Sequence, residues 1–231
     1  LKKFHNRAAC TMVPTRTLLN NLESLGFERL RHVPRGVDLN RFDPAHRSLK
    51  LRQSWGADDA TLVMLCVSRL AAEKNLELVI QAWRRAHDDG VKTRLVLVGD
   101  GPLRSELERD HPDVHFAGYQ SGLDLSEHYA SADLFVFASI TETFGNVTLE
   151  AMASGLPVLA FRSAAAAELI ESGVEGVLID EGDMSFISAC VQLSKSPSQL
   201  KTMGLQGRHR ALSCHWPADR KSTRLNSSHL G

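Results

Sequence analysis

No stretch of this chain approaches the roughly 18 consecutive apolar residues that a membrane-spanning helix needs, and no signal peptide is visible at its start. Cysteine is sparse. Cys10, Cys66, Cys190 and Cys214 show neither paired nor metal-type spacing, and Cys66 falls inside an apolar run, which favours a reducing compartment over a disulfide framework. There is no Asp-x-Asp pair and no His/Cys/Asp cluster at metal-ligand spacing, so nothing in the sequence calls for a divalent cation. A Gly-x-Gly-x-x-Gly after a first strand is also missing, which argues against a dinucleotide ligand. Charge of one sign is not in excess: 27 basic and 27 acidic residues give a formal net charge of zero, and no global field recruits nucleic acid or an anionic membrane. Shorter internal repeats of the solenoid kind are absent.

What remains is a chain of 231 residues, 43% hydrophobic and 23% charged, enough for one core and a second small lobe. Short apolar runs at Thr61–Val67, Leu95–Val98, Val114–Ala117 and Leu134–Ala138 read as buried strands. Between about Thr61 and Ile179 they alternate with helical patterns, which predicts a complete doubly wound parallel sheet of the α/β class. Upstream, Cys10–Pro14 reads as a short strand, Thr15 begins a capped helix that ends by Gly26, and a third short strand leads to Val33-Pro34. Helical segments continue through Phe186–Val191 and Leu200–Met203.

The densest chemistry lies between Glu142 and Glu150, which have seven residues between them. From Phe144 onward the spacing of Val147, Leu149, Ala151, Met152 and Ala153 predicts a helix that stops near Gly155, with Pro157 as breaker. Glu142 then lies in the loop before that helix, and Glu150 about two turns inside it. A helix start offers free N–H groups and positive dipole to a phosphate, Gly145 permits close approach, and the two acids could grip opposite ends of a diphosphate-bridged ligand. On the two acids alone, a dipole-favoured Glu and a second Glu on a solvated face fit equally well. Arg69 and Lys74 follow the Thr61–Val67 strand, at the edge where open α/β sheets bind ligands, and two cations there suit a diphosphate. Taken alone, they also fit a solvated basic turn.

Five ordered segments bear jointly on this choice: Arg35-Gly36-Val37-Asp38; Arg69 with Lys74-Asn75; Val98-Gly99-Asp100-Gly101-Pro102; Glu142 through Glu150; and Ala151-Met152-Ala153-Ser154-Gly155-Leu156-Pro157-Val158. In order and spacing they resemble the retaining, metal-independent glycosyltransferases of the GT-B fold, family four, over roughly residues 1–217. Five ordered motifs are far more specific than one. The resemblance implies a Rossmann-like doubly wound sheet of GT-B type with a fragment of the preceding acceptor domain. Residues 1–40 would be that remnant and hinge, and residues 41–217 the donor-binding domain. Residues 218–231 are expected to be a non-native or disordered tail, since Lys221–Leu230 resembles translated adapter sequence. Leu1 is not an initiator Met, and most of the acceptor half is expected upstream.

The resemblance further implies that Arg69 and Lys74 hold the donor's diphosphate, that Glu142 contacts hydroxyls of the transferred sugar, and that Glu150 takes the ribose hydroxyls. The amides of Phe144, Gly145, Asn146 and Val147 would touch the sugar and distal phosphate, with Gly36 lining the cleft opposite. Tyr119 and Gln120 follow a strand where the family places nucleobase contacts, whereas Gly99 and Gly101 read as shaping a turn. No cofactor is implied, the UDP- or GDP-linked sugar being a substrate. The implied reaction is transfer of a hexosyl group, with mannosyl among the candidates, to a glycan or lipid-linked acceptor with retention of configuration. In it the departing diphosphate helps to deprotonate the acceptor. A cytoplasmic protein is implied, with peripheral contact to the inner membrane face through the missing domain and no nucleic-acid partner. A nucleotide-sugar epimerase or hydrolase on the same fold, or a non-catalytic nucleotide-binding module, are the alternatives.

Other conspicuous residues read as structural. His111, His115 and His128 are expected at the surface or at strand edges, because a lone His needs a convergent partner. Asp133, just before a strand, reads as a turn or cap residue, and Glu168 as structural beside a tightly packed helix start.

Overall fold

Apolar runs of this kind stay buried on both faces only where helices cover both, and that condition orders the whole chain. The computed structural model describes residues 1–139 and 146–214, Ala164 and Ala165 by backbone alone. In chain order the elements are α1 (Lys2–His5), β1 (Thr11–Val13), α2 (Arg16–Ser24), β2 (Leu30–His32), α3 (Leu49–Ser54), β3 (Leu62–Val67) and α4 (Leu76–Asp88). There follow β4 (Thr93–Val98), α5 (Arg104–Asp110), β5 (His115–Gly118), α6 (Gly122–Ser131), β6 (Leu134–Phe137) and α7 (Asn146–Ala153). The last are β7 (Val158–Phe161), α8 (Ala164–Leu169), β8 (Gly176–Ile179), α9 (Asp183–Ser194) and α10 (Pro197–Leu212).

Six strands form one parallel sheet in the order β5-β4-β3-β6-β7-β8, and β1 and β2 form a separate parallel pair. The chain therefore winds outward from β3 to β5, returns to the middle, and winds the other way from β6 to β8. Leu65 stands between Val96 on β4 and Phe135 on β6. Here the doubly wound α/β sheet read from the sequence is the fold found. Val63, Met64, Leu65, Leu95, Val96, Leu134 and Phe135 are wholly shielded from solvent. Full burial of a large apolar side chain contributes about 1.5–3 kcal/mol, so these central positions dominate the stabilisation. Among the flanking helices α4 turns Leu76, Val79, Ile80 and Trp83 inward and packs against α9, while α7 packs against α10. The Thr15 hydroxyl caps α2 by accepting from Leu18 N–H at 3.2 Å, as its position predicts. Among the described residues no helix is long and apolar enough to cross a membrane.

The amino-terminal ends of the central strands are fastened by an ion pair built on a buried arginine. Arg52, 3% exposed, donates to Ser131 O at 2.8 Å, Asp133 Oδ2 at 2.9 Å, Asp58 O at 3.1 Å and Thr61 O at 2.7 Å. The same Asp133 oxygen accepts from Val63 N–H at 2.8 Å, and its other oxygen accepts from Arg47 at 2.8 Å. Asp133 is thus structural, as expected, but it joins α3 to the starts of β3 and β6 instead of capping one turn. At the other end of the chain, Arg208 on α10 donates to Phe42 O at 2.7 Å and to Ala153 O, and pairs with Asp43 at 2.8 Å. It binds the connection after β2 to the end of α7.

One expectation is corrected. His111 and His128 are 8% and 6% exposed, because the cap of α5 and the inner face of α6 turn them inward. His128 packs on Trp55 at 5.5 Å between ring centroids and donates through Nδ1 to Asp124 O at 2.7 Å, and His111 Nε2 meets Glu77 at 3.0 Å. Removing Asp133 leaves the buried Arg52 guanidinium without its counter-charge, so Asp133→Ala should destabilise the chain by about 3–5 kcal/mol. Urea unfolding checks this, and a loss under about 1 kcal/mol would mean that Arg52 is satisfied by its carbonyl partners alone.

Candidate functional site

Where the winding reverses, the carboxyl ends of β3 and β6 lie side by side, and an open α/β sheet leaves a crevice there. The loop after β3 is held by the loop after β4. Leu70 N–H donates to Asp100 O at 2.9 Å, and Leu103 N–H to Leu70 O at 3.0 Å. Two glycines make this approach feasible: a Cβ on Gly99, whose φ is +137°, would lie 1.8 Å from Ser68 O, and one on Gly101 would lie 2.3 Å from Leu70 O. They shape the turn, as their spacing suggests, and so fix the backbone on both sides of Arg69, which is exposed.

Lys74 ends a 3-10 turn, Ala72–Lys74, and Asn75 then adopts left-handed backbone with φ 51° and ψ 46°, turning the chain into α4. Asn tolerates that conformation better than most side chains. The turn sends Lys74 across the reversal point: its ammonium lies 5.9 Å from the Phe137 ring centroid and donates to the buried Ser139 hydroxyl at 3.5 Å. Ser139 in turn donates to Glu73 O at 3.4 Å. A cation on the β3 loop is thereby brought to the end of β6.

Glu150 lies in the second turn of α7, partly buried, and its Oε2 accepts from the Tyr129 hydroxyl at 3.0 Å. Tyr129 is wholly buried on α6, edge-on to Phe42 at 5.6 Å and 5.8 Å from Phe135. Phe135 and Phe137 share one face of β6, their rings stacked at 5.8 Å, so the supports of Glu150 and of Lys74 are adjacent side chains. Burial raises the Glu150 carboxyl above its ordinary value, while the Tyr129 hydrogen bond and the charge of Arg41 oppose the rise. Arg41 sits over the Phe42 ring at 5.3 Å, with its Nε buried and without a hydrogen-bond partner.

The expected residues are thus distributed as follows. Arg69, Lys74 and Glu150 stand on the elements that meet at the reversal point. Asn146, exposed, and Val147, partly buried, begin α7 as the spacing predicts. Glu142, Phe144 and Gly145 lie outside the described residues. Gly36 precedes the buried Val37, whose N–H donates to Cys214 O at 3.1 Å, and no hydrogen bond among the described residues links Gly36 to Glu150. Exposed Tyr119 and partly buried Gln120, the latter donating through its side-chain amide to Ala117 O at 2.7 Å, follow β5. Glu168 accepts from Thr17 N–H at 3.1 Å and so ties α8 to α2. Sequence reasoning missed Tyr129 and Arg41, and the available signal was small: one of only two tyrosines, placed in the last turn of a helix just before a core strand.

Chemically, the arrangement offers two cations at a strand edge, a helix start and a carboxylate held on its far side, a set suited to an anionic ligand that also carries hydroxyls. Residues 61–196 match the family described as Glycosyl transferases group 1. Among curated proteins, a GDP-mannose-dependent alpha-mannosyltransferase of Corynebacterium glutamicum is 38% identical over 183 residues, 79% of this chain and 43% of that protein. One of the same description from Mycolicibacterium smegmatis is 34% identical over 217 residues, 94% of this chain and 56% of that protein. Among solved structures, Anabaena HepE in complex with UDP and glucose superposes with a TM-score of 0.83 at 24% identity, over 98% of this chain and 65% of that one, a likeness of fold. The chain spans about half the length of the curated relatives that it matches.

A carboxyl group raised above its ordinary value of 4.5 favours folding in its protonated form. Its contribution is present below the unfolded value and is lost as the pH rises through the folded one. Glu150→Gln keeps an acceptor for the Tyr129 hydroxyl without the charge. The ligand-free variant should therefore melt a few degrees above the parent at pH 7, with the gap closing toward pH 4.5. Thermal unfolding across that range checks this, and an equal or lower melting temperature at pH 7 would contradict it.

Proposed function

Since the chain belongs to the glycosyl transferases group 1 family, we propose that it carries the nucleotide-sugar site of a metal-independent, retaining hexosyltransferase, with residues 41–217 as the donor-binding domain and residues 1–40 as the end of an acceptor domain and hinge. What supports this reading is that Arg69 and Lys74 follow β3 where it pairs with β6, that Lys74 reaches over Phe137 at the end of β6, and that Glu150 on the helix after β6 is held by Tyr129. The relatives' names supply the donor class, GDP-mannose or another GDP- or UDP-linked hexose, and the acceptor would be a glycan or a lipid-linked sugar.

The chain's residues would act by positioning and by neutralising charge. Arg69 can meet a diphosphate as a planar fork and Lys74 as a point charge, so that charge developing on the leaving group is offset without reorganisation. The amides of Asn146 and Val147 would add the helix start to the same anion. Glu150 would accept from the ribose hydroxyls, and Glu142 from hydroxyls of the transferred sugar. The acceptor attacks on the face from which the diphosphate leaves, and a diphosphate oxygen takes its proton. No covalent enzyme intermediate is required. Removal of a preorganised charged contact of this sort costs on the order of 3 kcal/mol in the transition state.

Calorimetric titration with GDP-, UDP- and ADP-linked sugars tests the donor site. One of them should bind, and Lys74→Ala and Glu150→Ala should each weaken it at least about tenfold, the equivalent of roughly 1.4 kcal/mol. If no sugar nucleotide binds, or if neither substitution weakens binding, the reading fails. The chain by itself should transfer sugar slowly or not at all, since its partner half would form the other wall of the cleft. Turnover by this chain in the ordinary enzyme range, about 1 per second or faster, would refute that part.

A further inference from the structure

Tyr129 is a side chain whose polar atom costs stability unless something accepts its proton, because the whole residue is shielded from solvent. A phenylalanine would fill the same space between Phe42 and Phe135 without that cost. The hydroxyl instead donates to Glu150 Oε2 at 3.0 Å, and among the described residues the carboxylate has no other hydrogen-bond donor. The ring itself cannot swing, being packed edge-on to Phe42 and against Phe135 on the sheet.

We propose that Tyr129 is the positioning residue of the donor site: it occupies one oxygen of the Glu150 carboxylate, locks its rotamer, and leaves the other oxygen to accept hydrogen bonds from a ribose diol. The proposal rests on the reading of Glu150 as the ribose acceptor given above. A carboxylate can serve two partners at once because its two oxygens carry about four acceptor sites. Held on one side by a rigid phenol, it presents the remaining oxygen without paying rotamer entropy when nucleotide arrives.

The charged and titratable groups around the carboxylate set a second consequence. From α6 the Tyr129 hydroxyl faces it; from the connection before α3 comes the Arg41 guanidinium; and from β3 the Cys66 thiol, pushed up by burial to about 12 and hence neutral, lies near Tyr129. Burial drives the Glu150 carboxyl up, and the phenol and Arg41 hold it down. Loss of the hydroxyl therefore raises it further. Nucleotide binding that depends on ionised Glu150 falls as the pH is lowered, and in Tyr129→Phe that fall begins at a higher pH.

The experiment is calorimetric titration of the parent chain, Tyr129→Phe and Glu150→Gln with GDP, UDP and their 2′,3′-dideoxy counterparts between pH 5 and 8, with thermal unfolding to confirm that each variant is folded. The parent should bind the ribose form of GDP or UDP at least tenfold better than the dideoxy form. Tyr129→Phe should keep its affinity for the dideoxy form, lose roughly tenfold on the ribose form at pH 7, as expected when a side chain must be immobilised on binding, and shift the acidic limb upward. Glu150→Gln should erase the ribose preference. If Tyr129→Phe matches the parent in both ribose preference and acidic limb, or loses ribose and dideoxy forms equally, Tyr129 serves packing only and the proposal is overturned while Glu150 keeps its role. If Glu150→Gln retains the ribose preference, or the parent binds neither nucleotide, the donor-site reading itself falls and takes this proposal with it.

Discussion

The pairing of β3 with β6 is the contact on which the rest of the structure depends, because it places the two halves of the winding back to back. A sheet sealed on both faces has nowhere to show charge except its ends. The chain uses its two ends differently. At the amino-terminal ends, a buried Arg52 is neutralised by a partly buried Asp133 and surrounded by backbone carbonyls. At the carboxyl ends, Arg69 is exposed and Lys74 is stretched over Phe137 toward the neighbouring strand. One end stores its charges as structure, and the other presents them.

The sheet was legible in the sequence because β3 and β6 are apolar along their length and β4 from Leu95 on, a signal that does not depend on what the strand packs against. The helix that carries Glu150 was legible for a related reason, since Gly155 and Pro157 mark its stop and small residues its buried side. Arg52, Tyr129 and Arg41 were not. Each draws its meaning from a partner far away in the chain: Arg52 from Asp133, Tyr129 from Glu150, Arg41 from the same carboxylate. The histidines show the opposite error. A polar residue read as exposed by default was drawn inward, since the last turn of α6 packs His128 and Tyr129 together against the core.

Glu150 shows a tension between folding and binding. Its burial penalises the charged form that would be wanted by a diol, and the protein answers with one hydroxyl and one nearby guanidinium, not with a full ion pair. A close salt bridge would consume the acceptor capacity, whereas a single donor leaves half of the carboxylate open. Buried groups with incomplete satisfaction are costly, and they persist where something else completes them.

Arg208 adds a consequence in time. The strip Phe42–Asp43, which packs on Tyr129 and neighbours Arg41, is secured by a guanidinium near the end of α10. As a chain emerges from the ribosome, segments fold in order of appearance. The Arg69 edge, zipped by Gly99 and Gly101, needs only residues up to the β4 loop and can set early. The surroundings of Glu150 must wait for Arg208, so the two sides of the crevice are completed at different times in synthesis.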